Sequence, residues 1–181
     1  MWQPPRIETK RLVLREVRLS DKDAVFEYGK KPHISKYTLW EPHETVEDSV
    51  DFIEKYAFSN YEQQVPEPFA ITLKGDDRLI GCVGCFWVST KNKCMELAYV
   101  LNDDFWGKGI VVEAAQEVVS YCFENFDIER IQCRCKAENI QSERVMQKLG
   151  FKYEGLLRNE IYHRGKHWDM KYYSILRSEV K

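Results

Sequence analysis

Apolar positions recur along this chain with two alternating periods, and the changes from one to the other mark out the elements. Residues 11–17, from Arg11 to Val17, are apolar and β-branched enough for a first strand. Ser20-Asp21-Lys22-Asp23 then resembles a capping box opening a helix that runs through Tyr28. A second box, Thr45-Val46-Glu47-Asp48, precedes Val46, Val50, Ile53 and Ala57 at helical spacing. Between the two helices, residues 32–44 are rich in proline, histidine and aromatic residues and read as a loop. Strands are predicted over 68–73 and 79–88, joined by the turn Lys74-Gly75-Asp76-Asp77 as an antiparallel hairpin, and a further strand over 95–101.

From Gly109 to Phe126 the residues Val111, Ala114, Ala115, Val118, Val119 and Cys122 form one helical stripe, which must pack on the sheet. Ile131, Cys133 and Cys135 then alternate with Arg130, Gln132, Arg134 and Lys136, a strand with one polar face. Helical spacing returns over 142–149, where Gly150 stands at the left-handed cap position and Phe151 at the accompanying apolar contact. A last hairpin spans 153–176 and turns at Arg164-Gly165-Lys166. The order is strand, two helices, strands, helix, strand, helix, hairpin. No internal repeat or low-complexity linker interrupts it, so residues 1–181 read as a single α/β domain with a mixed sheet flanked by helices.

Composition narrows the class. At 181 residues, 44% hydrophobic and 31% charged, the chain has the make-up of a soluble globular domain, and no apolar run is long enough for a bilayer. The start, Met1-Trp2-Gln3-Pro4-Pro5-Arg6, lacks the charged-then-apolar pattern of an export signal, so a cytoplasmic location is expected. A net charge of −2 offers no global attraction to nucleic acid, and Arg130, Arg134 and Lys136 read as a solvated strand face. Cys82-Val83-Gly84-Cys85 has metal-site spacing, but residues three apart on a strand point to opposite faces. Cys133 and Cys135 share a face without further ligands nearby, and His33, His43, His163 and His167 show no paired spacing. The expectation is six reduced, structural cysteines and no metal.

The turn Trp106-Gly107-Lys108-Gly109-Ile110-Val111 opens the long helix. The first N–H groups of a helix have no intrahelical partner, and glycines allow a phosphate to approach the backbone closely. Lys108 adds a full positive charge. Two glycines alone are met as readily in an ordinary strand-to-helix turn. A Walker loop fails, because Lys108 lies between the glycines with no hydroxyl residue after it. A dinucleotide fingerprint fails at Val112 and in the antiparallel strands that precede the turn.

With its neighbours, this turn resembles the pyrophosphate loop of the GNAT superfamily of acyl-CoA N-acyltransferases, Gln/Arg-x-x-Gly-x-Gly/Ala. Tryptophan at the first position and Glu113-Ala114 in the helix are similar to the branch of ribosomal-protein N-terminal acetyltransferases. Further similarities are Thr9-Lys10-Arg11-Leu12-Val13-Leu14-Arg15, Trp40-Glu41-Pro42-His43, Ala137-Glu138-Asn139-Ile140-Gln141-Ser142, Lys148-Leu149-Gly150-Phe151, Asp169 and Tyr173-Ser174-Ile175-Leu176. The chain departs from the pattern at Val111, where the superfamily prefers Gly or Ala, and at Asp103, where relatives often carry proline. Val111 can crowd the loop and weaken the cofactor grip, although a β-branched residue there still leaves its N–H free.

The resemblance implies a mostly antiparallel sheet with a splayed strand pair holding acetyl-CoA as cosubstrate, and transfer of acetyl to an amine by direct attack. It assigns cofactor binding to the backbone of Tyr99, Val100 and Leu101, to Trp106, Gly107, Lys108, Gly109, Ile110, Val111 and Val112, and to Asn139 and Ser142. One N–H of Tyr99, Val100 or Leu101 is the implied oxyanion donor. Glu96 points away from Met95 and Leu97, towards the acceptor side in this family, and is the candidate general base; an exposed strand glutamate is the bland alternative. Ser142 is placed to hydrogen-bond the departing thiolate, with Tyr172 and Tyr173 as alternatives, and His43 is the best-placed histidine to line the acceptor site. The implied acceptor is a protein N-terminal α-amine; a small polyamine or aminoglycoside, or a non-catalytic acyl-CoA-binding role, are the alternatives.

Overall fold

The computed structural model describes residues 2–180; Met1 and Lys181, which bound the sequence readings of the N-terminus and of the domain, lie outside it. Eight strands form one sheet in the order β1-β2-β3-β4-β5-β6-β8-β7. They are β1 (Ile7–Glu8), β2 (Leu12–Glu16), β3 (Phe69–Leu73), β4 (Asp76–Ser89), β5 (Cys94–Leu101), β6 (Arg130–Lys136), β7 (Lys152–His163) and β8 (Lys166–Leu176). Every neighbouring pair is antiparallel except β5 and β6. The mixed, mostly antiparallel sheet expected from the sequence is therefore present, and β6 has the predicted bounds.

One face of the sheet carries α4 (Ile110–Asn125) and α5 (Ile140–Lys148). Ile110, Ala114, Ala115, Val118, Val119 and Cys122 face Leu12, Leu14, Ile71, Val83, Met95, Leu97 and Ile131 in the main core. Ala114 and Ala115 are fully buried, and their small side chains let the helix lie close to the strands. Helix α5 ends as the sequence predicts. Gly150 has φ +80°, Phe151 N–H donates to the Met146 carbonyl and Gly150 N–H to that of Gln147, which is the Schellman arrangement.

The other face is covered by α1 (Lys22–Gly29) and by a helical run made of α2 (Val46–Asp51), a π-helical stretch Phe52–Phe58 and α3 (Ser59–Glu62). Val17, Val25, Tyr28, Ile53, Ala57, Tyr61, Ala70 and Cys82 make the second core there. Tyr61 ties helix to sheet, its hydroxyl donating to the Pro68 carbonyl (2.6 Å) and accepting from Val17 N–H (2.9 Å). The box at Thr45 forms as expected, with Asp48 accepting from the Thr45 N–H. The π stretch departs from the single α-helical period of the sequence reading, although Ile53 and Ala57 within it are buried as that period expects; in α2 before it, Ser49 is buried and Val50 only partly so.

The first cap also differs. Ser20 does not open α1; instead Asp21 reaches back to the Arg18 N–H (2.8 Å) across a short 3₁₀ turn, Leu19–Asp21. Asp21 is held by Arg15, which is 2% exposed and donates to both Asp21 oxygens (2.9 Å each), to Asp77 Oδ1 (2.8 Å) and to the carbonyls of Glu16 and Asp77 (2.7 Å each).

The cysteines lie where strand alternation puts them. Cys82 belongs to the second core, beside the Tyr28 hydroxyl, while Cys85 lies in the main core with Cys122, Cys133 and Cys135. Burial pushes the Cys82 thiol up to about 12, so it stays protonated. No helix among the described residues is long and apolar enough to cross a membrane.

Candidate active site

The site begins where β5 and β6 part. They pair only at Cys94↔Arg130, Met95↔Ile131 and Glu96↔Gln132, yet β5 continues to Leu101 and β6 to Lys136. Strand β5 stays paired with β4 along this length, Gly84↔Ala98 to Gly81↔Leu101. The backbone groups of Tyr99, Val100 and Leu101 that face β6 are therefore left without a ladder partner, in a wedge open between the two faces of the sheet.

At the end of β5 the chain makes a 3₁₀ turn, Asp103–Phe105, capped by Asn102, and enters the glycine loop. The Trp106 indole N–H donates to the Leu101 carbonyl (2.9 Å), pinning the loop to the splayed strand. Gly107 and Gly109 have φ +74° and +72°, a left-handed conformation that glycine adopts without strain. Gly109 is the N-cap of α4, with no side chain capping the helix, so the N–H groups of Ile110, Val111 and Val112 point outward. Val111 packs its side chain against the main core, not into the loop. The Lys108 ammonium turns back to the Asp104 carbonyl (2.9 Å), so what Lys108 offers the loop is backbone. Asp103 is bound by Lys31 and by His33 Nε2, and His33 meets the Trp106 ring edge-on at 5.9 Å.

Across the wedge, Asn139 Oδ1 caps α5 by accepting from the Ser142 N–H (3.1 Å), so Asn139 and not Ser142 is the capping side chain. The Ser142 hydroxyl is thereby free to meet the Tyr99 hydroxyl at 2.7 Å, joining β5 to α5 on the main-core face. Burial holds the Tyr99 phenol well above its ordinary range and keeps it a neutral donor. Alternation along β5 put Tyr99 on the Leu97 face, but its hydroxyl partner lies 43 residues away and left no sequence signal. Tyr173 is engaged elsewhere on that face, donating to Glu143 (2.7 Å).

Glu96, 8% exposed, lies on the opposite face. It is not the free strand carboxylate of the bland reading: Oε1 accepts from Arg134 Nε (2.9 Å) and Oε2 from Gln132 Nε2 (2.7 Å). Arg134 Nη1 also donates to the Tyr172 hydroxyl (3.3 Å), which donates to Glu160. Arg134 and Glu160 carry no site signal in the sequence, because only strand pairing brings them to Glu96. Beside them, a shallow groove open to solvent runs along Leu157, Arg158, Asn159 and Glu160 of the edge strand β7. The groove sits at an irregularity in β7 where Asn159 has φ +54° and its N–H donates to Asp169 Oδ1 (2.8 Å).

Towards the tip of the same hairpin, a clasp joins the loop after α1 to β7 and β8. Arg164 donates to Glu41 and to the Trp40 carbonyl (3.1 Å each), and buried Lys136 sits 4.1 Å from the Trp168 ring centroid. Burial, followed by the charges of Arg164 and Lys166, pulls the Lys136 ammonium below its ordinary range. His43, the histidine expected to line the acceptor site, is held between α1 and α2: Nδ1 is bonded to Ser49 Oγ (2.8 Å), and its ring packs so closely on Gly29 that a Cβ there would lie 2.7 Å from it.

A family model for the GNAT acetyltransferase domain matches residues 11–152. The uncharacterized N-acetyltransferase YnaD of Bacillus subtilis is 36% identical over 173 residues, 96% of this chain and 98% of that protein. The putative ribosomal N-acetyltransferase YdaF of the same organism is 32% identical, over 58% of this chain and 57% of its own length. Among solved structures, a GNAT-family acetyltransferase from Bacillus anthracis superposes with a TM-score of 0.87 at 31% identity, covering 97% of this chain and all of the other.

Proposed function

This chain belongs to the GNAT acetyltransferase family, and from that premise we propose that it transfers acetyl from acetyl-CoA to the α-amine of a protein N-terminus. The N-acetyltransferase class follows from the family; the acceptor does not, and for it the open groove beside Glu160 is the carrying observation. A polycation calls for a pocket of unpaired carboxylates. Here three acids of this region are matched by cations, Glu96 by Arg134, Glu154 by Arg130 and Glu41 by Arg164, while Glu67, buried against Asn60, is the exception. An extended peptide needs length and backbone access more than net negative charge, and an open groove against an irregular edge strand provides both.

In this reading the outward N–H groups at Gly109, Ile110, Val111 and Val112 hold the diphosphate, with Trp106 and Gly107 setting the loop and Lys108 contributing backbone. The unpaired edge of Tyr99, Val100 and Leu101 hydrogen-bonds the pantetheine arm, and one of its N–H groups faces the thioester carbonyl oxygen, where negative charge develops. Acetyl-CoA supplies the electrophile, presented through the wedge to the groove side. Glu96, held by Arg134 and Gln132, accepts the amine proton through a water on a lone pair that its two hydrogen bonds leave free. On the opposite face, the Ser142 hydroxyl, backed by Tyr99, donates to the sulfur as it leaves, and Asn139 fixes its position.

Thiol release measured with acetyl-CoA and a panel of amines tests the reading. Peptides with a free α-amine are expected to be turned over, and the same peptides blocked at the N-terminus to be inert. Preferential turnover of spermidine or an aminoglycoside would replace the acceptor, and acetyl-CoA binding with no turnover of any amine would leave a binding module.

A further inference from the structure

The segment Thr9-Lys10-Arg11-Leu12, which the mechanism above does not use, lies against the glycine loop. Arg11 stands between β1 and β2 and reaches across to the start of α4. Its Nε donates to Glu113 Oε2 (2.7 Å), its Nη1 to the Lys108 carbonyl (2.9 Å) and its backbone N–H to Glu113 Oε1 (2.8 Å). The Thr9 hydroxyl donates to the same Glu113 oxygen (2.6 Å). The remaining guanidinium nitrogen, Nη2, lies 3.7 Å from where a Cβ on Gly109 would be, at the mouth of the loop.

The charge of Glu113 needs this arrangement. Glu113 sits in the first turn of α4, where the helix field favours a carboxylate, but the same field is what a diphosphate uses, so a free charge there repels the ligand. Although burial works against it, the Thr9 hydroxyl and the Arg11 N–H and guanidinium hold the Glu113 carboxyl below its ordinary range, so the charge is present and must be balanced. Lys108 does not balance it, since its ammonium is bonded to the Asp104 carbonyl and rests 5.3 Å from the Phe105 ring centroid. The cation beside the loop is Arg11.

We infer that Arg11 is a positioning residue for the diphosphate of acetyl-CoA, bracing the Lys108 carbonyl so that the loop N–H groups face outward and cancelling the charge of Glu113. The inference rests on the assignment of this loop to the diphosphate, and the test separates the two.

Steady-state thiol release is measured for the full chain with acetyl-CoA and with S-acetylpantetheine, which has the thioester arm without diphosphate or nucleotide. The native chain uses acetyl-CoA with a much lower KM than S-acetylpantetheine. Arg11→Ala raises the KM for acetyl-CoA by about tenfold with kcat nearly held, and leaves the KM for S-acetylpantetheine unchanged. Adding Glu113→Gln to Arg11→Ala recovers most of that loss, because the unbalanced charge is gone. Arg11→Lys, which keeps the charge but cannot span both partners, falls between. Equal changes with both thioesters, or an unchanged KM for acetyl-CoA in Arg11→Ala, would overturn the role of Arg11 and leave the loop assignment standing. A native chain that shows no preference for acetyl-CoA removes the loop assignment itself.

Discussion

At the scale of single residues, two buried carboxylates on the groove side behave in opposite ways. Glu96 is matched by Arg134, whereas Glu67, 6% exposed, is met by the neutral Asn60 amide at 3.0 Å and the Tyr56 hydroxyl and, among the described residues, by no cation. Its backbone and stem lie so close to Gly84 that a Cβ there would come within 2.4 Å of them. Burial raises the Glu67 carboxyl to about 7, so the folded protein keeps a proton there that an unfolded chain releases in the ordinary carboxylate range. The folded state binds more protons between these values, and its stability from this group falls as pH rises through that window, by an amount on the order of 3 kcal/mol. Glu67→Gln removes the dependence. Its melting temperature is expected to match the native value near pH 4 and to exceed it above pH 7, and a gap that does not widen with pH would contradict the assignment. For Glu96→Gln the expectation is kinetic: kcat falls about a hundredfold near neutral pH, and the deficit shrinks as pH rises, because the acceptor amine then loses its proton to solvent. A deficit that is the same at all pH values would show that Glu96 acts only by holding Arg134.

At the scale of elements, the alternating and helical periods and the turn residues recovered every strand but β1 and the helices α1, α2, α4 and α5, because core-facing residues repeat with the period of their element. β1 is two residues long and carries no period. The π-helical stretch has no sequence signal of its own, because Ile53 and Ala57, four residues apart, suit an α-helical turn and a wider one alike. What local pattern could not supply was partnership. Glu96 and Arg134 are 38 residues apart and meet through strand pairing; Arg11 and Glu113 are 102 apart and meet where α4 packs on the sheet. The same holds for Arg15, whose donors join β2, the turn before α1 and the start of β4. Arg15→Ala leaves buried Asp21 without its cation and is expected to cost about 3–5 kcal/mol in chemical denaturation. A loss below 1 kcal/mol would mean that Asp21 is satisfied by solvent.

At the scale of the molecule, the sheet is a partition with a gap in it. The glycine loop, α4 and the Tyr99–Ser142 hydroxyl pair belong to one side, and Glu96, Arg134, Glu160 and the groove to the other. The splay of β5 from β6 is the opening between them. Trp106 and Asp103 bind the loop to β5 and to the segment after α1, so the edges of both sites are hydrogen-bonded to one another. An amine on the groove side can then meet a thioester from the loop side without any group on the protein carrying the acetyl between them. The sequence made the loop and the family legible, since both lie in short runs of residues. The groove lies at an irregularity of β7 that depends on Asp169 across the hairpin, and no local pattern announces it. The central claim is direct transfer through this gap to an N-terminal amine. The most direct measurement mixes the protein with isotopically labelled acetyl-CoA and a peptide bearing a free α-amine, and locates the label by mass spectrometry within one turnover. The label is expected on the peptide α-nitrogen with none on the protein; label held on a protein side chain, or absent from the peptide, would contradict it.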